Sequence, residues 1–172
     1  MQHTTIKLSD DQEALVAEAC RALKREPKQQ IQLEKAAHSP ESAAEGMISG
    51  SDKASQVAYS PLSRESRQLY ESLGDAALQK IRDIGFDIKM IKKYTIKVPS
   101  GAYFKVQECD ALVAIQLASL ETRLPVEILL PDGTFDNWSA GVACILPRGW
   151  AVRSETGELW MDIWRYFTEK NA

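Results

Sequence analysis

Two carboxylates, Asp132 and Asp136, stand close together in "PDGTFDNW". Such a pair can divide acid and base work when their surroundings separate their pKa values. The same letters also spell a turn, with Asp before Gly and a second Asp on a solvated strand. The spacing does not match a calcium-binding loop. Glu155 and Glu158 flank a further turn and read as solvated. Cys109 precedes Asp110 and has no basic neighbour in sequence to lower its pKa, which marks a buried thiol rather than a nucleophile.

Histidine limits the chemistry further. The two histidines are His3 and His38. A Ser/His/Asp or Cys/His site, or a histidine-ligated zinc, would therefore need the N-terminal segment to fold back onto the rest. No phosphate-cradling glycine motif and no GxSxG elbow occurs. The residues name no catalytic group, no metal ligand and no cofactor.

A basic pattern is the clearest positive signal. In "FDIKMIKKYTIKVPSGAYFKV", residues 86 to 106, Phe86, Ile88, Met90, Tyr94, Ile96 and Val98 alternate with polar positions, the mark of a half-buried strand. Ile91 and Lys92 break the alternation, as a bulge would. "VPSGA" reads as the turn of a hairpin. Its outward face carries Lys89, Lys93, Lys97 and Lys105 with Tyr103. Lysines so spaced can track phosphates, and a tyrosine can stack on a base. Lysines also keep exposed strands soluble and unpaired. The net charge of −3 gives no global pull toward nucleic acid or an anionic membrane. It hides a basic middle and an acidic C-terminal third.

Aromatic side chains gather at the other end. Trp138, Trp150, Trp160 and Trp164 all follow residue 137. Trp160, Trp164 and Tyr166 share one face of a strand over 159 to 167; a helix there would instead align Leu159, Trp160, Ile163, Trp164 and Phe167. Either face needs cover, from the core or from a partner.

The elements that must position these groups divide the chain in three. Residues 1 to 38 read as a helical arm. Ser9 and Gln12 form a capping box, Leu15, Val16, Ala19, Cys20 and Leu23 recur at helical spacing, and Pro27 stops a helix over about 10 to 25. A weaker helix is expected over 28 to 38. Residues 39 to 60, rich in Ser, Gly and Ala, read as a flexible linker or loop. Residues 61 to 172 read as an α+β domain. Ser60-Pro61 opens a helix that Gly74 ends, and Asp75 opens a second that Gly85 ends. Alanines favour one packed helix over 110 to 122, with a buried strand as the alternative. Turns at "PDG", "PRG" and "ETG" separate short strands.

The expected fold is thus α+β: N-terminal helices, a flexible segment, then a mainly antiparallel, meander-like sheet with one packed helix. The scattered cysteines, Cys20, Cys109 and Cys144, argue against disulfides and for a reducing, cytoplasmic setting. No apolar run is long enough for a membrane helix. The leading functional expectation is a non-catalytic binding or regulatory protein. It would meet a protein partner or a second copy through Leu15, Val16 and Leu23, or through Trp160, Trp164 and Tyr166. The alternative is a nucleic-acid-binding protein using Lys89, Lys93, Lys97, Tyr103 and Lys105. A carboxylate-dependent enzyme built on Asp132 and Asp136 ranks below both.

Overall fold

A computed structural model describes residues 4–25, 57–117, 125–139 and 141–169. The expected helix over 28 to 38, most of the linker, and both histidines lie outside them.

Strand β1 (Thr4–Lys7) leads into helix α1 (Asp10–Arg25). The capping box forms as expected: Ser9 N–H donates to Gln12 Oε1 at 2.9 Å, and Gln12 N–H donates to Ser9 Oγ at 3.2 Å. After β2 (Ala58–Ser60), helix α2 runs unbroken over Arg64–Ile84. Two short helices were expected here. Gly74 does not end the first, because the apolar stripe of Leu69, Leu73, Ala77 and Ile81 continues across it into the core. Helix-interior glycine costs about 1 kcal/mol, which burial of that stripe outweighs. The glycine also makes room: a Cβ there would sit 3.2 Å from the Tyr70 ring. The N-cap is Ser63, whose side chain accepts from Ser66 N–H, rather than Ser60, which lies in β2.

The remaining strands are β3 (Met90–Val98), β4 (Tyr103–Lys105), β5 (Ala111–Gln116), β6 (Val126–Leu129), β7 (Phe135–Asn137), β8 (Val142–Pro147), β9 (Ala151–Ser154) and β10 (Leu159–Phe167). They make two antiparallel sheets. The larger has the order β1-β8-β5-β10-β3-β2 and the smaller β4-β9-β6-β7. This is a β-sandwich with crossed connections, not a meander. Residues 111–116 form a central strand where a packed helix was favoured. That strand is buried on both faces, so its sequence carries neither the alternation of a half-buried strand nor a polar helix stripe.

Two cores result. Between the sheets lie Ile96, Val98, Phe104, Leu112, Ile128, Leu146, Val152, Met161 and Ile163, with Trp138 and Trp150. Between the larger sheet and the helices lie Val16, Leu23, Leu69, Leu73, Ile81, Val113, Ile145, Trp164 and Tyr166. The molecule is three layers deep: helices, six-stranded sheet, four-stranded sheet.

The lysine hairpin does not form. β3 pairs in unbroken register with β10, from Met90 opposite Phe167 to Val98 opposite Leu159, and β4 pairs with β9 in the other sheet. No bulge interrupts β3 at Ile91 and Lys92.

Candidate functional site

The edge of the larger sheet carries a cleft of about 340 Å³. Its floor is the end of β2 and the turn after it, from Tyr59 to Leu62. Lys93 and Tyr94 of β3 form one wall, and Arg67 from the first turns of α2 forms the other. Each group arrives for a local reason. Pro61 stops β2 after three residues, and Ser63 caps α2 directly beyond it, so the chain reverses within a few residues. That reversal brings Arg67 over the strand ends. Its guanidinium Nη1 donates to the Leu62 carbonyl at 3.5 Å. Lys93 lies with its amine 4.0 Å from the centre of the Tyr70 ring.

Behind the tyrosine wall stands a buried arginine. Arg165 of β10 is 6% exposed. Its Nη2 donates to Tyr59 Oη at 2.8 Å, and its Nη1 lies 3.5 Å from Glu108 Oε2. The guanidinium sits 5.1 Å from the Tyr59 ring centre and 5.6 Å from that of Tyr94. The two tyrosines meet edge to face at 5.8 Å. Burial raises the pKa of Tyr59 and outweighs the opposing pull of Arg165, so the phenol stays protonated. The lining of this small volume includes two cations and two phenols, with the Tyr59 hydroxyl turned to Arg165 and the Lys93 amine to the Tyr70 ring. It can hold an oxyanion and move a proton.

The sequence candidates fall elsewhere. Lys93 alone of the lysine set lines the cleft. Lys89 pairs with Asp87 at 2.8 Å, and Lys97 lies 3.5 Å from Glu158. Lys105 and Tyr103 belong to the opposite sheet, where Arg153 covers the Tyr103 ring at 4.7 Å. Val16 and Leu23 are buried and Leu15 half-buried in the core beneath α1. Trp164 and Tyr166 are fully buried, and Trp160 is half-buried at the same interface. Asp132 is held inside its own turn, accepting from the Thr134 N–H at 2.9 Å and its hydroxyl at 2.6 Å. Those bonds lower its pKa, which suits a turn anchor and not a proton donor. Asp136 is exposed on the neighbouring strand β7. Burial pushes the Cys109 thiol up to about 11, so it is inert at neutral pH.

Sequence reading missed Arg67, Tyr59, Tyr94 and Arg165. Three of them carry no local signal, since only tertiary folding brings them together. Arg165 did carry one: it is a charge inside the otherwise apolar "LWMDIWRYF", as is Asp162.

No family model matches the chain. No curated protein matches it either. Among solved structures, a prolyl-4-hydroxylase of Pseudomonas putida aligns over 96% of this chain and 93% of its own, with TM-score 0.58 and 15% identity. An oxidoreductase of the 2OG-Fe(II) oxygenase family from Burkholderia pseudomallei aligns over 91% and 92%, with TM-score 0.47 and 10% identity. A cupin domain from Bordetella pertussis covers 48% of this chain and 86% of its own, with TM-score 0.32 and 16% identity. The first likeness is one of fold. It corrects the expectation of a non-catalytic binding or regulatory protein, and of a nucleic-acid binder, because the chain takes nearly end to end the fold of an enzyme.

The described residues do not fit an iron site. Such a site takes two histidines and a carboxylate. The described residues include no histidine, and no three His, Cys, Asp or Glu among them are grouped to hold a metal ion. The space between the sheets is filled by apolar side chains.

Proposed function

We propose that the chain is a small-molecule enzyme that binds an oxyanion-bearing substrate in the cleft at the β2–β3 edge and acts on it by proton transfer. The observation that supports this reading is that Arg67, Lys93, Tyr59 and Tyr94 all line one cleft of about 340 Å³. That size suits a small metabolite. Arg67 and Lys93 bind the anionic group, the arginine by its planar fork and the lysine as a point charge. Tyr94, half-buried on the wall beside Arg165, is the proton donor. Tyr59, locked by Arg165, fixes the shape of the wall. The enzyme fold of the Pseudomonas putida neighbour supports catalysis over mere binding. No helix among the described residues is long and apolar enough to cross a membrane, and a cytoplasmic setting belongs to the same reading.

The test is a thermal-shift screen of the full chain against small carboxylates, sulfates and phosphorylated metabolites, with turnover of each hit followed by proton NMR. At least one compound should raise Tm. Arg67→Ala should weaken its binding about tenfold or more. Tyr94→Phe should keep binding and lose turnover. A screen in which no anion shifts Tm would sink the reading.

A further inference from the structure

The cleft lies on an unfinished sheet edge. Strand β2 pairs with β3 only from Ala58 opposite Lys97 to Ser60 opposite Thr95, and Pro61 then turns the chain away. Strand β3 extends past it, from Tyr94 back to Met90, with β10 along its other side. Among the described residues no strand takes the place that β2 leaves. The cleft occupies that place. Neighbouring residues of a strand point to opposite faces, so a volume lined by Lys93, Tyr94 and the end of β2 together sits at the edge between the faces.

The backbone there has a defined direction. Along an antiparallel strand, successive residues turn their N–H and C=O to alternate sides. The Thr95 carbonyl turns to β2, accepting from Ser60 Oγ at 3.3 Å. Lys93, two residues away, turns its N–H and C=O to the same side, into the cleft. Lys92 and Tyr94 turn theirs to β10, opposite Arg165 and Ile163. Strand β10 agrees. Its Trp160 carbonyl accepts from Leu117 N–H on the β5 side, which leaves Ile163 and Arg165 facing β3. A ligand opposite Lys93 therefore meets one donor and one acceptor at the spacing of a strand residue. Arg67 and Lys93 make the lining positive, and no acid is among the lining residues. A carboxylate next to an amide N–H matches all of this. The carboxylate accepts from the Lys93 N–H, and the amide donates to the Lys93 carbonyl, as the opposite residue of an antiparallel pair does. A free amino acid would instead bring an ammonium toward two cations with no counter-charge.

We propose that the substrate is an N-acylated α-amino acid, bound as a single added residue beyond the end of β2, its carboxylate and amide read by the Lys93 backbone and its charge met by Arg67. The proposal rests on the cleft being the ligand site, and deepens that reading by naming the substrate class.

The test uses the full chain at neutral pH and probes that differ in few atoms. They are N-acetyl-L-alanine, L-alanine, and O-acetyl-L-lactate, in which an ester oxygen replaces the amide N–H. Sulfate serves as the plain anion. In NMR titrations N-acetyl-L-alanine should bind about tenfold or more tighter than either analogue, because the ester leaves the Lys93 carbonyl unpaired. Hydrogen exchange, corrected for intrinsic rate, reads the edge itself. In the free chain the Lys93 amide should exchange faster than those of Lys92 and Tyr94, and saturating N-acetyl-L-alanine should slow it about tenfold or more. Equal binding of the ester, or a Lys93 amide already as protected as its neighbours, overturns the proposal; sulfate binding that is lost in Arg67→Ala would then leave the cleft reading standing. If neither sulfate nor N-acetyl-L-alanine binds, the cleft reading fails and this proposal with it.

Discussion

A carboxyl group with no cation beside it is the costliest side chain in this core, and Asp162 occupies that position. Its ordinary pKa near 3.8 is raised to about 6 by burial. The sign follows from proton counting. Between pH 4 and pH 6 the folded chain holds a proton that the unfolded chain has released, so stability falls as pH rises through that window and then levels off. The full penalty above it is on the order of 3 kcal/mol. Asp162→Asn should therefore be more stable than wild type at pH 8, by an amount approaching that figure. The two should converge near pH 4, as urea unfolding across the series would report. Arg165, three residues on and facing the opposite core, has its cost offset by Tyr59 and Glu108. Both charges were legible as letters that do not belong in an apolar strand. Their partners were not, because Ser66, Thr95 and Tyr59 lie far off in sequence.

At the level of elements, the sequence was most readable where a side chain satisfies its own neighbourhood. The capping box of α1 and the left-handed glycine after α2 are of this kind. Gly85 has φ 117° and donates its N–H back to the last turn of α2. Nothing lies within 4 Å of where its Cβ would be, so Gly85→Ala tests backbone strain alone. It should cost about 1–2 kcal/mol, read as a lower urea midpoint with an unchanged slope. Elements failed to read where tertiary burial overrode local preference. Gly74 is passed over because α2 lies flat on the sheet. Residues 111–116 are strand because β10 and β8 flank them and fill both sides with hydrogen bonds. The lysine face of β3 was correctly alternating, but its hairpin partner was not the next strand in sequence.

Across the whole molecule, the larger sheet lines both cores, and β10 faces Met161 and Ile163 to one and Trp164 and Tyr166 to the other. The two layers should therefore unfold together. Far-UV circular dichroism, which follows the helices, and tryptophan fluorescence, which reads Trp138 and Trp150 between the sheets and Trp160 and Trp164 beneath the helices, should give one shared urea transition. Phe104→Ala, which empties space between the sheets, should lower both by about 3–5 kcal/mol. Separate midpoints would show that the helical layer melts alone. The α+β class and the antiparallel pairing were legible in the strand rhythm. The crossed order was not, since nothing local tells β3 to wait for β10. That order matters for synthesis. β10 follows every other strand of the described residues in sequence, yet it belongs between β5 and β3. While the ribosome is still working, both neighbours present bare edges to each other and to other nascent chains. The larger sheet can close only once residues past 159 have cleared the exit tunnel, so folding is late and all at once, and a chain broken before that point leaves two open edges for aggregation.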